Sequence, residues 1–215
     1  MTVAALYVDP NGVYANLPGV EVWDEACDAR TYAGPWPVVA HPPCARWCMF
    51  AKGIETRYGY AVGDDGGCFA AALAAVRHFG GVLEHPAHSL AWVAHGLAEP
   101  CVHAGWTTTL DDHGAVAYVE QGRYGLPVRK ATWLYAAGVE LPRLRWGFTS
   151  KAGAYKWHQR RDKLNDPRDD PRPRMRGEVA ELTPPAFRDV LLAMARSAAP
   201  ALDVERGRAP TDDAA

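Results

Sequence analysis

The chain lacks long apolar runs, a basic segment at its N-terminus and any paired spacing of cysteines. None of its runs approaches the roughly 18 consecutive apolar residues of a membrane span, so we expect none. No lysine or arginine precedes the apolar run in Met1–Tyr7, so we expect no secretory signal and a cytoplasmic protein. The five cysteines are irregularly spaced, which favours buried thiols with one reactive member over a disulfide framework. They are Cys27, Cys44, Cys48, Cys68 and Cys101.

Charge is nearly balanced overall but unevenly distributed. The net charge is −2, with 48% apolar and 22% charged residues, a composition typical of one globular domain. The segment Lys156–Arg176 holds eight basic and four acidic residues, which makes it +4 and leaves −6 for the remainder. Such a basic strip is typical of a phosphate-contacting surface, although its three prolines equally fit a solvated loop.

Short apolar runs alternate with turn signals and amphipathic helices. Strands are predicted at 3–8, 20–23, 37–40, 82–84 and 130–135, and a hairpin at 106–119. Helices are predicted at 68–79, where Phe69, Leu73 and Val76 form one apolar stripe, at 89–95, and at 183–197 with Thr183 as N-cap. We therefore predict one α/β domain over residues 1–200, Rossmann-like, with a mostly parallel sheet flanked by helices. A basic, loop-rich segment is expected at about 145–180 and a disordered tail at 201–215.

Three reactive side chains follow predicted strands. Cys44 ends the sequence His-Pro-Pro-Cys after one strand, Glu84 ends the next, and Arg123 follows a third. Because reactive groups in open α/β sheets collect beyond the carboxyl ends of strands, these residues can meet in one cleft. A thiolate that adds to carbon 6 of a pyrimidine makes carbon 5 nucleophilic, a carboxylic acid can protonate N3, and an arginine can hold O2 or a phosphate. The three residues suit that chemistry.

The ordered motifs resemble those of DNA cytosine-5 methyltransferases, and more closely those of small phage-type relatives of these enzymes. The motifs are Asp9–Gly12, Asp28–Arg30, Ala40–Cys44, Leu83–Pro86, Gln121–Gly125 and Lys130–Tyr135. The resemblance implies a reduced methyltransferase-like enzyme of a phage or bacterial host cell that modifies a cytosine or related pyrimidine in DNA. It implies that Cys44 is the nucleophile, that Glu84 binds the base at N3 and that Arg123 is a third active-site contact.

The same resemblance implies S-adenosylmethionine as cofactor. The residues it assigns to that cofactor are Asp9, Asn11, Gly12, Asp24, Glu25, Asp28 and Pro42. Asp24 and Glu25 end the second strand, where acids often hold ribose hydroxyls. The Gly-rich loop of the family is missing, however, because 9–14 contain a single glycine, and the link between the first two strands is too short for a loop and a packed helix.

Contacts with the base and with DNA are predicted on a further set of residues. These are Gln121, His85, Trp47, Lys156, Arg160 and Arg161. Trp47 could stack on a base or simply pack in the core, and His85 could be a site residue or a satisfied buried histidine. Only 138–181 remain for target recognition, so phosphate contacts are favoured over a long base-reading interface.

Two other classes of function remain open. A non-catalytic DNA-binding protein could keep the fold and lack the cofactor site. A zinc-dependent base hydrolase could use histidines and cysteines near the same strand ends, but the spacings Cys44–Cys48 and Cys101–His103 match structural zinc pairs poorly, and no metal is expected. Free pyrimidine nucleotides are an alternative substrate to DNA.

Overall fold

The structure is a computed structural model of the chain and describes residues 1–48, 51–109, 114–126, 128–148 and 182–198. Its strands are β1 (Val3–Leu6), β2 (Val20–Trp23), β3 (Val38–Ala40), β4 (Gly81–Pro86), β5 (Thr107–Thr108), β6 (Ala115–Glu120) and β7 (Ala131–Ala137). Its α-helices are α1 (Ala51–Tyr58), α2 (Cys68–Phe79), α3 (Leu90–Ala94) and α4 (Pro185–Arg196). Short 3-10 helices occupy Ala29–Thr31 and Gln121–Tyr124.

The strands form one mixed sheet in the order β2-β1-β3-β4-β7-β6-β5. The pairs β1–β2, β1–β3 and β3–β4 are parallel, and the pairs β4–β7, β7–β6 and β6–β5 are antiparallel. The carboxyl ends of β1 to β4 and of β6 therefore lie along the same edge. The chain goes from β1 to β2 on one side and then to β3 on the other, so the strand order reverses between β1 and β3. Open α/β sheets bind ligands beyond the strand ends at such a reversal.

Both faces of the sheet are covered by apolar side chains. On one face, Phe69 of α2 and Trp92 of α3 belong to a buried cluster with Leu83 of β4. On the other face, Phe187 and Leu191 of α4 are buried with strand side chains such as Val39, Val82 and Leu134. Because both faces are buried, the central strands consist almost entirely of apolar residues until each reaches the carboxyl edge.

The predicted α/β class is confirmed, but the sheet is mixed rather than mostly parallel, because three of its six strand pairings are antiparallel. The helix Cys68–Phe79 and the strand Val20–Trp23 have the predicted bounds, and β5 pairs with β6 as the predicted hairpin. The prediction of Thr183 as N-cap is wrong: Pro184 holds that position and Pro185 begins α4, because proline already has the φ of a first helical residue. The helix α1 was not predicted, since eight residues that include a glycine give a weak periodic signal.

The basic segment Lys156–Arg176 and the tail at 201–215 lie outside the described residues. No helix in the described part of the chain is both long and apolar enough to cross a membrane.

Candidate active site

A buried polar cluster begins where β3 ends, beside the middle of β4. The strands pair with Ala40 opposite Leu83, so His41 and Glu84 are the next residues on each. Both side chains lie on the face of the sheet that α4 covers, and His41 Nδ1 is 3.1 Å from Glu84 Oε2. The other ring nitrogen of His41, Nε2, is 2.8 Å from the hydroxyl of Tyr14. The register of β3 and β4 thus pairs His41 with Glu84, and Tyr14, from the loop after β1, completes a hydrogen-bonded chain of tyrosine, histidine and carboxylate.

The second oxygen of Glu84 is bound from the antiparallel half of the sheet. Gln121, directly after β6, donates its Nε2 to Glu84 Oε1 at 2.8 Å, and the hydroxyl of Thr132 on β7 lies 3.2 Å from the same oxygen. Gln121 Nε2 also donates to Thr132 at 3.0 Å. Gln121 Oε1 is buried and has no hydrogen-bond partner among the described residues. Unsatisfied buried acceptors are uncommon, so this oxygen marks the cluster as a candidate site.

Opposing effects act on the charge of Glu84. Burial raises the pKa of this carboxyl, but the positive charge of Lys130 and the hydrogen bond from His41 outweigh burial and hold the pKa at about 2. Lys130 is itself buried at the start of β7 and donates to the carbonyl of Leu182, just before α4, at 3.0 Å. Glu84 is therefore an ionised acceptor at neutral pH.

Cys44 lies on an exposed turn three residues beyond His41. Its carbonyl accepts hydrogen bonds from the amides of Trp47 and Cys48, both at 3.0 Å, which closes one helical turn. Partial burial, together with Glu84 and Cys48, raises the pKa of the Cys44 thiol. Cys44 is thus an exposed residue whose partly buried sulfur senses the charge of Glu84, and the sulfur is a thiol in the free protein.

A pocket of about 1100 Å³ adjoins this turn beyond the ends of β1, β2 and β3. Asp9, Asp24, Glu25 and Asp28 line the pocket. Pro43 also lines it, so the pocket reaches the residue next to Cys44 in the chain. Asp28 forms a two-pronged ion pair with Arg30 at 2.7 and 2.8 Å, and this guanidinium lowers the pKa of the Asp28 carboxyl. The pocket lies at the reversal of strand order and has an excess of acidic groups, which suits a ligand with hydroxyls or positive charge.

Tyr7 is one of the pocket residues that sequence reasoning missed. It follows β1 with a left-handed backbone (φ 60°), which a residue other than glycine seldom adopts. Its hydroxyl is buried without a hydrogen-bond partner among the described residues. Burial raises the pKa of Tyr7, so the hydroxyl keeps its proton and can donate to a ligand.

The remaining cofactor predictions fall at or near this pocket. The amides of Asn11 and Gly12 bond to Asp9, to its Oδ1 at 2.8 Å and to its carbonyl at 2.9 Å. Pro42 is buried, and its neighbour Pro43 lines the pocket instead.

The predicted base and DNA contacts are dispersed. Arg123 is exposed and donates to the carbonyl of Phe148 at 3.1 Å, so it is Gln121, rather than Arg123, that the structure shows bound to Glu84. His85 is 1% exposed and packs on Phe69 and Trp92, on the face opposite Glu84. Trp47 is 8% exposed and donates to Asp65 at 2.7 Å. Lys156, Arg160 and Arg161 lie outside the described residues.

Four members of the polar cluster were missed by sequence reasoning: Tyr14, His41, Lys130 and Thr132. His41 and Glu84 each come directly after a short run of apolar residues and glycine, at 38–40 and 81–83. Their shared position after these runs is a signal that could have paired them. Tyr14 and Thr132 carry no such signal, because their positions depend on the path of a loop and on an antiparallel register.

Among the described residues, no group of three or more histidine, cysteine or acidic side chains could hold a metal ion. Comparisons of the chain with protein-family models, with curated proteins and with solved structures each gave no match.

Proposed function

We propose that the protein modifies a pyrimidine base in DNA by covalent addition of Cys44 to carbon 6, in the manner of a reduced cytosine-5 methyltransferase. The observation that carries the proposal is the placement of Glu84, on β4, beside His41 at the end of β3, three residues before Cys44, with Gln121 bound to Glu84. In this mechanism the Cys44 sulfur attacks carbon 6 while Glu84 faces N3 and the exocyclic group at carbon 4. A base in duplex DNA must first be flipped out of the stack.

The acidic pocket fits S-adenosylmethionine in its chemistry. Asp24 and Glu25 offer acceptors for ribose hydroxyls, the acidic excess suits a sulfonium and an ammonium group, and the buried hydroxyl of Tyr7 offers a donor. When bound, the cofactor supplies an electrophilic methyl group. The short link between β1 and β2 replaces the Gly-rich loop of the family with Tyr7–Gly12, so we propose a Rossmann-like, methyltransferase-like sheet that is reduced at its N-terminal end.

The direct test is a covalent complex with DNA that contains 5-fluorocytosine, in which fluorine blocks release of the thiol after carbon 5 has reacted. Wild-type protein with S-adenosylmethionine should give a species of higher mass that survives denaturation. Cys44→Ser should abolish this adduct and leave non-covalent binding nearly unchanged, because serine is a far weaker nucleophile. Cys48→Ser, four residues along the same turn, is the matched control and should retain the adduct. If the wild type forms none under any cofactor condition, Cys44 is not the nucleophile.

A non-catalytic DNA-binding relative is the second candidate, favoured by two observations. The Cys44 thiol has a raised pKa, and both oxygens of Glu84 already have hydrogen-bond partners. Calorimetric titration with S-adenosylmethionine separates the candidates. The enzyme should bind it, and Asp24→Asn with Glu25→Gln should weaken binding by roughly tenfold or more, since hydrogen bonds to charged groups contribute about 1.5–3 kcal/mol. Absence of binding at millimolar ligand favours the second candidate.

A further inference from the structure

Glu84 is ionised in the free protein, yet a pyrimidine that accepts a thiolate at carbon 6 must gain a proton at N3. The free carboxylate has no proton to give, so a donor must lie within hydrogen-bonding distance of it. Of its hydrogen-bonding partners, Gln121 and Thr132 do not titrate near neutral pH. His41, 3.1 Å away, is the partner that can carry a proton there.

The surroundings of His41 allow it to exist in both protonation states. Burial and the nearby charge of Glu84 raise the pKa of Tyr14 far above the neutral range, so its hydroxyl keeps its proton. A hydroxyl can donate to Nε2 of the neutral ring and can accept from Nε2–H of the imidazolium. Nε2 is therefore satisfied in either state, and Nδ1 stays directed at Glu84. The side chain of His41 is 12% exposed, which leaves it in contact with solvent.

We propose that His41, held by the hydroxyl of Tyr14, is the positioning residue that delivers a proton to Glu84, which passes it to the pyrimidine ring. This inference rests on the proposed function. The thiol of Cys44 first loses its proton to solvent, and its sulfur then bonds to carbon 6. The C5–C6 π pair moves to C4–C5, His41 Nδ1 passes its proton to Glu84, and the C4–N3 π pair takes that proton from Glu84. Neutral His41 finally regains a proton from solvent.

Other charged or titratable groups act on the hydrogen-bonded chain of Tyr14, His41 and Glu84, and all variants below retain them. They are Lys130 just before β7, Cys44 after β3, Arg188 and Asp189 on α4, and His85 of β4 from the opposite face of the sheet.

The test is the pH dependence of the rate of adduct formation with 5-fluorocytosine DNA. In the wild type the rate should rise with pH while the thiolate fraction of Cys44 grows. It should level off at a break, where a further gain in thiolate is offset by loss of the proton that His41 delivers.

The variant His41→Asn retains a donor near the position of Nδ1 but cannot carry a proton. It should react at least about tenfold more slowly and lose the break, as expected when a general acid is removed. Tyr14→Phe should slow the reaction, because the ring of His41 is no longer held. Tyr118→Phe is the matched control: it removes a buried hydroxyl that lies 3.0 Å from Glu120 on the opposite face, and should leave the rate unchanged. A break that persists in His41→Asn overturns the proposal.

A second measurement does not depend on activity. The carboxyl carbon signal of Glu84 should keep its ionised position down to about pH 4 in the wild type and should begin to titrate at higher pH in His41→Asn, because the charge of His41 lowers the pKa of Glu84. An unchanged titration would show that His41 does not act on Glu84, and would overturn the proposal even if the adduct forms. Failure of the wild type to form any adduct, with an altered titration in the variant, would instead reject the proposed function, and with it the transfer to a pyrimidine, while the action of His41 on Glu84 would stand.

Discussion

Glu84 keeps a negative charge at a position that is nearly closed to water. Burial alone would favour the neutral acid, and a charge without partners there would cost several kcal/mol. Lys130 and His41 reverse that preference, and the amide of Gln121 occupies the oxygen that faces away from His41. At His85, the next residue, whose side chain lies on the other face, burial outweighs the nearby charges instead. Burial between aromatic rings lowers its pKa to about 4 and outweighs the pull of Glu84 and the Pro43 carbonyl, although neither ring nitrogen meets hydrogen-bond geometry with a described residue.

These two residues predict how stability depends on pH. Both have a folded pKa below the ordinary value, so each contributes stability above the ordinary pKa and loses it as pH falls through the folded one. The window for His85 runs from 6.5 to about 4, and that for Glu84 from 4.5 to about 2. Each contributes on the order of 3 kcal/mol by linkage. Urea denaturation at a series of pH values should show unfolding free energy falling through both windows.

Single variants separate the two contributions. His85→Phe should flatten the decline between pH 6.5 and 4.5 and leave the acidic decline in place, whereas Glu84→Gln should do the reverse. If His85→Phe retains the full decline near pH 5.5, the neutral buried imidazole is not its cause.

At the scale of elements, the sequence predicted the helix bounds and strand pairings that depend on residues close together along the chain. The bounds of α2 follow from the aspartates and glycines before it and from Gly80 after it, and the alternation of strands and helices predicted the parallel pair β3–β4. The acids at the ends of β1 and β2 were predicted as one site, and they line one pocket. The partners of Glu84 could not all be predicted in the same way. Thr132 reaches it through an antiparallel pairing in which Glu84 lies opposite Leu134, and a register of this kind is not encoded locally.

Gly81 shows how closely β3 and β4 approach each other. Its φ is 138°, and a Cβ at this position would lie within contact distance of the Val38 backbone, 2.8 Å from its nitrogen. Gly81→Ala should therefore separate the strands that carry His41 and Glu84, with a loss of stability well above the roughly 1 kcal/mol typical of point substitutions. Gly53→Ala is the matched control. Gly53 lies in α1 with open space around it, so alanine should stabilise by about 0.5–1 kcal/mol. Thermal and urea denaturation measure the stability of both variants. Similar changes in stability in Gly81→Ala and Gly53→Ala would show that the close approach of β3 and β4 is not the cause.

At the scale of the whole molecule, acidic and basic groups are separated along the sheet. The acidic pocket lies beyond the carboxyl ends of β1 and β2, whereas Arg123 is exposed directly after β6, and Arg143 and Arg145 are exposed in the segment that follows β7. Arg145 donates to the carbonyl of Arg123 at 2.9 Å, and Leu144 is buried between Arg143 and Arg145, so these two arginines point away from the core. If DNA is the partner, as proposed, this separation of charge favours phosphates on the arginine side and disfavours them at the acidic pocket.

Because Arg123, Arg143 and Arg145 are positively charged, we predict an affinity for DNA that depends on the salt concentration. The acidic pocket does not contribute to this dependence. Each phosphate contact adds about 0.9 to the slope of log affinity against log salt. The double variant Arg143→Gln with Arg145→Gln should therefore lower the slope by up to about 1.8, equally for different DNA sequences. Arg196→Gln is the control: Arg196 lies at the end of α4 that approaches Gly80, at the opposite edge of the sheet, and its loss should leave the slope unchanged. Fluorescence anisotropy with labelled DNA at several salt concentrations measures the slopes. Equal slopes for the double variant and the wild type would remove these arginines from the interface, and a flat response in the wild type would argue against DNA as the partner.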